Sequence, residues 1–173
     1  SASRIFLSTD VPLRIWTAGC STGEETYSLA ILFHEAIAAA DANITLQIFA
    51  SDVDADAVAA GREGLYPEII EGHVTPQRLA RFFSREDHNY RVSLDLRAKV
   101  VFTVQDLLAD PPFSRLDFIS CRNLLIYLSP EAQAQVISLF HFSLRQGGIL
   151  LLGNSETIGA KERRFEVVAK AER

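Results

Sequence analysis

The chain has 173 residues, 48% of them hydrophobic and 23% charged, which suffices for one domain with a buried core. A net charge of −5 argues against nucleic acid as a partner, and the lack of any apolar run near the roughly 18 residues of a membrane span argues against membrane insertion. Because the two cysteines form no CxxC unit and the four histidines lack metal-ligand spacing, we expect a reduced, cytoplasmic chain with no metal site.

The first predicted strand leads into a glycine loop and then into a helix. The apolar run that starts at Leu13 is typical of a buried parallel strand. Gly19 and Gly23 bracket a loop of small residues, and glycines at these places allow a sharp turn that lies close to a ligand. The helix is predicted to run from near Glu24 to about Ala40. The alternative to a ligand site is an ordinary strand-to-helix turn.

Two acidic residues at the start of this helix indicate the kind of ligand. Glu24 and Glu25 lie in the first helical turn, where the helix macrodipole favours negative charge. They would repel a pyrophosphate, and no lysine follows Gly23 as it would in a phosphate-binding P-loop. They favour a ligand that carries an ammonium or sulfonium group. S-adenosylmethionine carries both and has no phosphate.

The second predicted strand covers residues 46–50 and ends beside two further acids. In a doubly wound fold, an acid at this point hydrogen-bonds the ribose hydroxyls of a bound ligand. Asp52 follows the strand directly and is predicted for that role, with a helix cap as the alternative. Asp54 is predicted to cap a helix over residues 55–63.

Residues 64–98 interrupt the alternation of strands and helices, and we expect them to form an inserted subdomain. Thr75 and Pro76 predict the cap and first position of a small helix through Phe83. Alternating apolar residues over 92–96 predict a half-exposed antiparallel strand. An insertion of this kind either recognises a partner or only decorates the fold.

Two further strands are predicted to bring polar residues to the same cleft. The third, over residues 99–104, ends near Asp106, where an acid or amide can reach an adenine amino group. The fourth covers 116–120, and in the sheet order 3-2-1-4-5 its end faces the glycine loop. This order also predicts that Cys20 and Cys121 are free thiols close to each other. The polar residues after the fourth strand are Arg122, Asn123 and Tyr127.

The C-terminal third is predicted to complete the sheet. Ser129 is a favoured cap for a long helix that Gly147 and Gly148 are expected to end. A fifth strand is predicted over residues 149–152, and a closing strand over 165–168.

Five stretches together resemble the chemotaxis receptor methyltransferases, the CheR family. They are AGCSTGEETYS, FASDVD, VQDLL, CRNLLIY and GNSETIG. The resemblance implies one α/β methyltransferase domain over residues 1–173. Its fold would be that of class I S-adenosylmethionine-dependent methyltransferases, a Rossmann-like doubly wound sheet with a small inserted antiparallel β-subdomain. The implied reaction methylates glutamate carboxylates on the cytoplasmic helices of chemotaxis-type receptors. The ending looks most like hybrids that also carry a methylesterase domain.

The resemblance also implies which residues form the site. Glu25 would contact the methionine part of S-adenosylmethionine, and Asp52 would hold the ribose. Asp106 and Leu107 would lie at the adenine, where the family more often has Asn in place of Asp106. Tyr127 would lie by the transferred methyl group as the catalytic candidate, with S-adenosylhomocysteine as the cofactor product. The residues implied to bind the cofactor are Glu25, Asp52, Asp106, Leu107, Arg122 and Asn123.

The sequence departs from the family pattern at two places. The family has a preceding helical domain with a Thr-x-Phe-Phe-Arg motif, whereas only Ser1–Pro12 precede the first strand here. We therefore expect an excised catalytic domain or a truncated relative. Some members also grip a receptor pentapeptide with a Gly-x-Gly loop. Ser84–Tyr90 is shorter and has no glycine, so no pentapeptide tether is expected.

Two alternative functions remain open from the sequence. The chain could be a non-catalytic S-adenosylmethionine-binding or interaction module, left after loss of the helical domain. It could also be a nicotinamide-dependent oxidoreductase, which is the weakest hypothesis. The loop lacks GxGxxG, and Glu24 and Glu25 oppose a pyrophosphate.

Overall fold

The structure is a computed structural model that describes residues 11–156, 158 and 164–169. The strands are β1 (Leu13–Ala18), β2 (Leu46–Asp52), β3 (Leu65–Pro67), β4 (Phe83–Glu86), β5 (Asn89–Val92), β6 (Val100–Val104), β7 (Leu116–Cys121) and β8 (Leu144–Leu152). The α-helices are α1 (Glu24–Ala39), α2 (Ala55–Glu63), α3 (Pro76–Phe82), α4 (Leu94–Arg97) and α5 (Pro130–Ser143). Short 3₁₀ helices cover Glu68–Gly72 and Leu125–Tyr127. No helix in the described part of the chain is both long and apolar enough to cross a bilayer.

The larger sheet is parallel throughout, with the strand order β6-β2-β1-β7-β8. This is the predicted order 3-2-1-4-5, with the chain reversing direction across the sheet between β6 and β7. A smaller antiparallel sheet is present, as the family resemblance implied, and its strand order is β3-β5-β4. All strands of the larger sheet end at one edge, so the segments that follow β1, β2, β6 and β7 meet there.

Buried side chains cover both faces of the parallel sheet. Along β1, Ile15 and Trp16 point to opposite faces, and both are fully buried. Ile15 belongs to a core cluster with residues of α1, α2 and the smaller sheet, including Tyr66. Trp16 belongs to a second cluster on the other face, where α5 contributes Val136 and Phe140. The smaller sheet therefore packs on the same core as one face of the larger sheet.

The predicted strand over residues 92–96 is wrong beyond its first residue. Strand β5 ends at Val92, and residues 94–97 form the short helix α4. Ser93 caps this helix, because its Oγ accepts a hydrogen bond of 3.3 Å from the backbone N–H of Leu96. Val92 and Leu96 are buried while Leu94 is 74% exposed. A spacing of four residues fits one turn of helix as well as alternation fits a strand.

Two predictions near the C-terminus are also wrong. Helix α5 ends at Ser143, and β8 runs from Leu144 through both glycines, with Gly147 in the left-handed region at φ +78°. Residues 165–168 form no strand, although Phe165 packs against the second core cluster. The elements predicted over residues 24–40, 46–50, 55–63, 76–83, 99–104 and 116–120 are present, with limits within two residues of the predicted ones, whereas β3, β4 and both 3₁₀ helices had no separate prediction.

The two cysteines are free and buried, but they do not lie in one cluster. Cys20 packs in the core cluster of Ile15, and Cys121 packs in that of Trp16. The strand order is the predicted one, yet the two side chains pack in different clusters, and their proximity stays a prediction. Neighbouring strand ends bring two side chains together only when both point to the same face of the sheet.

We expect Ser51→Ala to destabilise the fold by about 1–3 kcal/mol, because it leaves a buried donor without a partner. The indole N–H of Trp16 donates to Ser51 Oγ at 2.8 Å, and both residues are buried. Urea unfolding followed by the fluorescence of Trp16 measures the change. The control is Ser28→Ala, which removes an exposed hydroxyl that donates to the Glu24 carbonyl within α1. Equal effects of the two substitutions would contradict the prediction.

Candidate functional site

The loop between β1 and α1 is fixed to the end of β2. The backbone N–H groups of Gly19 and Cys20 both donate to the carbonyl oxygen of Ser51, at 2.8 and 2.9 Å. The N–H of Ser21 donates to Asp52 Oδ2 at 2.8 Å. Gly19 and Ser21 both have positive φ, so the loop turns sharply as the glycine pattern predicted. The shape of this loop therefore depends on its hydrogen bonds to the end of β2.

Gly23, the last residue of the loop, has no room for a side chain, partly because Tyr66 of the smaller sheet packs against it. Gly23 has φ +93°, and a Cβ there would lie 3.0 Å from both Tyr66 Oη and Phe102 Cζ. Tyr66 Oη donates to the carbonyl oxygen of Thr22 at 2.7 Å. Burial raises the pKa of Tyr66, so this hydroxyl stays protonated and able to donate. Strand β3 thus fixes the loop through the hydrogen bond from Tyr66 to Thr22.

Asp52 lies at the end of β2, at the point that the sequence predicted. Each carboxylate oxygen accepts one backbone N–H, from Ser21 at 2.8 Å and from Asp54 at 3.1 Å. A carboxylate has about four acceptor positions, so capacity remains for two hydroxyl groups. Asp54 is the cap of α2, because its side chain accepts from the N–H groups of Asp56 and Ala57. The two acids therefore have separate roles.

Glu25 and Arg122 come together although 97 residues separate them. Arg122 Nη1 lies 3.5 Å from Glu25 Oε2, and Ser120 Oγ donates to the other carboxylate oxygen. The side chains of Arg122 and Glu25 are 45% and 32% exposed, so their ion pair is worth little in stability. Both groups remain accessible to a ligand at the ends of β1 and β7.

The segment after β6 forms a tight turn around Asp106. The carboxylate of Asp106 accepts the N–H of Leu108 at 2.9 Å, and its own N–H donates to Asp110 Oδ2 at 2.8 Å. Leu107 packs against the second core cluster. The neighbouring Gln105 is buried, and its Oε1 has no hydrogen-bond partner among the described residues. A buried acceptor without a partner lowers the stability of the fold at this point.

The loop after β7 is held by a residue that the sequence analysis missed. Asn123 has φ +60°, an unusual backbone conformation for a residue other than glycine. The buried carboxylate of Glu156 accepts hydrogen bonds from the backbone N–H of Asn123 and from three further backbone N–H groups. Glu156 lies in the GNSETIG stretch, and nothing in its local sequence indicates a partner 31–33 residues away.

Tyr127 lies in the segment that follows β7, as Arg122 and Asn123 do. It ends the 3₁₀ helix Leu125–Tyr127, and it is 79% exposed. Its hydroxyl makes no hydrogen bond to the part of the chain that the structure describes. The group is therefore free to bind a molecule from solution.

The charge at this edge is mainly negative. Glu24, Glu25 and Asp52 lie at the ends of β1 and β2, and Arg122 supplies positive charge beside Glu25. Burial raises the pKa of the Cys20 thiol to about 12, with a smaller contribution from the Asp52 carboxylate. Cys20 therefore stays a neutral thiol and is not a nucleophile at physiological pH. Such an edge favours a cationic ligand.

Comparison with known proteins gives matches over nearly the whole chain. The model of the CheR methyltransferase SAM-binding domain matches residues 3–173. The chemotaxis protein methyltransferase of Escherichia coli K12 is 35% identical over 161 residues, which cover 88% of this chain and 54% of that protein. A 104.1 kDa protein of Rhodobacter capsulatus is 41% identical over 161 residues, covering 93% of this chain and 17% of that protein. The chain thus spans about half the length of the Escherichia coli protein.

Solved structures show the same fold at low sequence identity. The glycopeptide N-methyltransferase MtfA, complexed with S-adenosylmethionine, superposes with a TM-score of 0.53 at 16% identity, covering 82% of this chain and 44% of that one. The [4+2]-cyclase SpnF superposes with a TM-score of 0.50 at 19% identity, covering 83% and 39%. The fold is therefore that of class I methyltransferases. A cyclase among the neighbours shows that this fold alone does not determine the reaction.

We expect Tyr66→Phe to loosen the loop between β1 and α1, because the carbonyl of Thr22 loses its donor. The free energy of unfolding should fall by about 1–2 kcal/mol, and amide hydrogen exchange should rise at Ser21 and Gly23. Tyr90→Phe is the matched control, since Tyr90 pairs with Tyr66 in the smaller sheet but donates to the exposed Glu71. Unchanged exchange in the loop of the Tyr66 variant would contradict this account.

Proposed function

This chain belongs to the CheR methyltransferase family, and we propose that it supplies the cofactor site of a protein-glutamate O-methyltransferase that modifies chemotaxis receptors. The observation that carries the proposal is the acidic edge of the sheet, where Glu25 and Asp52 keep accessible carboxylates. The named chemotaxis relatives support the choice of substrate. The cytoplasmic helices of chemotaxis-type receptors are the proposed partner, without a pentapeptide tether.

The described residues fit S-adenosylmethionine in charge and in hydrogen-bonding capacity. We assign the ribose hydroxyls to the spare acceptor positions of Asp52, and the methionine ammonium to Glu25. Asp106 and Leu107 are assigned to the adenine. Arg122 and Asn123 are assigned to the side of the cofactor next to β7.

The proposed chemistry needs alignment more than acid–base catalysis. The bound cofactor supplies an electrophilic methyl group on a cationic sulfonium. A glutamate carboxylate is already a nucleophile, so the protein need only align it and remove water from it. Tyr127 is the proposed aligning group, because its exposed hydroxyl is free to donate a hydrogen bond to the substrate carboxylate. The product ester removes one negative charge from the receptor helix.

We expect Asp52→Ala to weaken binding of S-adenosylhomocysteine about ten- to a hundred-fold, measured by calorimetry on the 173-residue chain. Loss of charge-assisted hydrogen bonds to the ribose costs roughly 1.5–3 kcal/mol. Asp56→Ala is the matched control, because Asp56 is an exposed acid in the first turn of α2. Binding of NAD without binding of S-adenosylhomocysteine would overturn the proposed function.

We expect Tyr127→Phe to lower kcat at least about tenfold while the affinity for S-adenosylhomocysteine stays within about threefold. The hydroxyl is proposed to act on the substrate carboxylate, and about 1.4 kcal/mol of lost alignment corresponds to that change in rate. Methyl transfer is measured with labelled cofactor and receptor-containing membranes, using the natural gene product. Mild alkali should release the label as methanol if a methyl ester forms. An unchanged kcat would remove Tyr127 from the mechanism.

A further inference from the structure

The carboxylate of Glu156 is buried in the segment that follows β8, with only 8% of the residue exposed. It is not among the residues that we assign to the cofactor or to the substrate. Its four hydrogen bonds come from the backbone N–H groups of Asn123 at 2.9 Å, Leu124 at 2.8 Å, Leu125 at 2.7 Å and Gly153 at 2.8 Å. Three of these donors belong to the loop after β7.

These bonds use the whole capacity of the carboxylate. Two oxygens offer about four acceptor positions, and Oε1 and Oε2 each accept two N–H groups. A buried charge is tolerated only when it is fully hydrogen-bonded, and here backbone dipoles meet that need. Glu156 therefore has no free position for a ligand. Its effect on the site must pass through the loop that it holds.

Other contacts make this loop a rigid part of the cleft. The side-chain amide of Gln133 donates to the carbonyl oxygens of Leu125 and Leu128, at 2.9 and 3.1 Å. On the opposite side, a Cβ at Gly19 would lie 3.3 Å from Leu124 Cδ2, so the loop packs against the glycine loop. A shift of residues 123–125 would therefore alter the packing between this loop and the glycine loop, which form two sides of the proposed cofactor site.

We propose that Glu156 is a positioning residue of the methyltransferase site. Its carboxylate fixes the backbone of residues 123–125, and through it the places of Asn123 and Tyr127. The inference rests on the proposed function, because it takes the loop after β7 to line the cofactor. The GNSETIG stretch follows β8 in the chain, and through Glu156 it would determine the shape of the loop after β7.

The test is Glu156→Gln in the 173-residue chain. The glutamine amide offers one oxygen with two acceptor positions, so two backbone N–H groups lose their partner. We expect amide hydrogen exchange at residues 123–125 and 153 to rise at least about tenfold, and the Kd for S-adenosylhomocysteine to rise about tenfold or more. Glu131→Gln is the matched control, since it removes the same charge from an exposed position in α5. It should change neither measurement.

A second variant keeps the charge and crowds the carboxylate together with the loop that it holds. A Cβ at Gly153 would lie 2.7 Å from Glu156 Oε2 and 3.3 Å from both the backbone N and Oδ1 of Asn123, and the backbone of Gly153 lies outside the left-handed region. Gly153→Ala should raise the Kd less than Glu156→Gln does, and it replaces that variant if the glutamine protein does not fold. Fluorescence of Trp16 verifies that each variant is folded during the measurement.

The outcomes separate this inference from the proposed function. Faster exchange in the loop with an unchanged Kd would make Glu156 merely structural and overturn the inference alone. Unchanged exchange at the four amides would overturn it as well. Failure of the unsubstituted chain to bind S-adenosylhomocysteine would overturn the proposed function together with this inference.

Discussion

A parallel sheet that is buried on both faces is the constraint from which the rest of this structure follows. Side chains such as Ile15 and Trp16 fill both faces, so a polar side chain within a strand must be paired inside the core, as Ser51 is with Trp16. Polar groups that a ligand can reach lie where the strands end, and the order of the strands decides which ends meet. The carbonyl of Ser51 illustrates this, because at the end of β2 it is free to accept two N–H groups from the neighbouring loop. The site is a consequence of topology.

Most of the fold could be predicted because its signals are local and strong. Apolar runs mark the parallel strands, and residues such as Asp54 and Ser129 mark where helices begin. The errors fall where tertiary contacts decide between two local possibilities. Ser93 can precede a strand or cap a helix, and only the packing around Leu96 selects the helix. Glycine commonly ends helices, yet Gly147 lies in a strand that pairs with β7.

The candidate site could be predicted in part, and the division has a physical cause. The position of Asp52 at the end of β2 follows from a local pattern, although its role stays a prediction. No local pattern in the sequence indicates the roles of Tyr66 and Glu156. The partner of Tyr66 is a backbone carbonyl 44 residues earlier, and those of Glu156 in the loop after β7 lie 31–33 residues earlier. Backbone groups occur at every position of a chain, so a side chain that binds them over a long range has no signature in its sequence.

The acids near the carboxyl ends of the strands differ in how many hydrogen-bond acceptor positions their carboxylates have free. Glu156 accepts four backbone N–H groups and is buried, so it is saturated and can only hold structure. Asp52 accepts two and keeps room for two more, so the carboxylate that holds the glycine loop also has acceptor positions free for the proposed ligand. Glu25 has side-chain partners in the buried Ser120 and in the half-exposed Arg122, of which Arg122 can rotate away. An ammonium group can therefore reach Glu25 by displacing Arg122, whereas nothing can reach Glu156 without breaking the loop after β7.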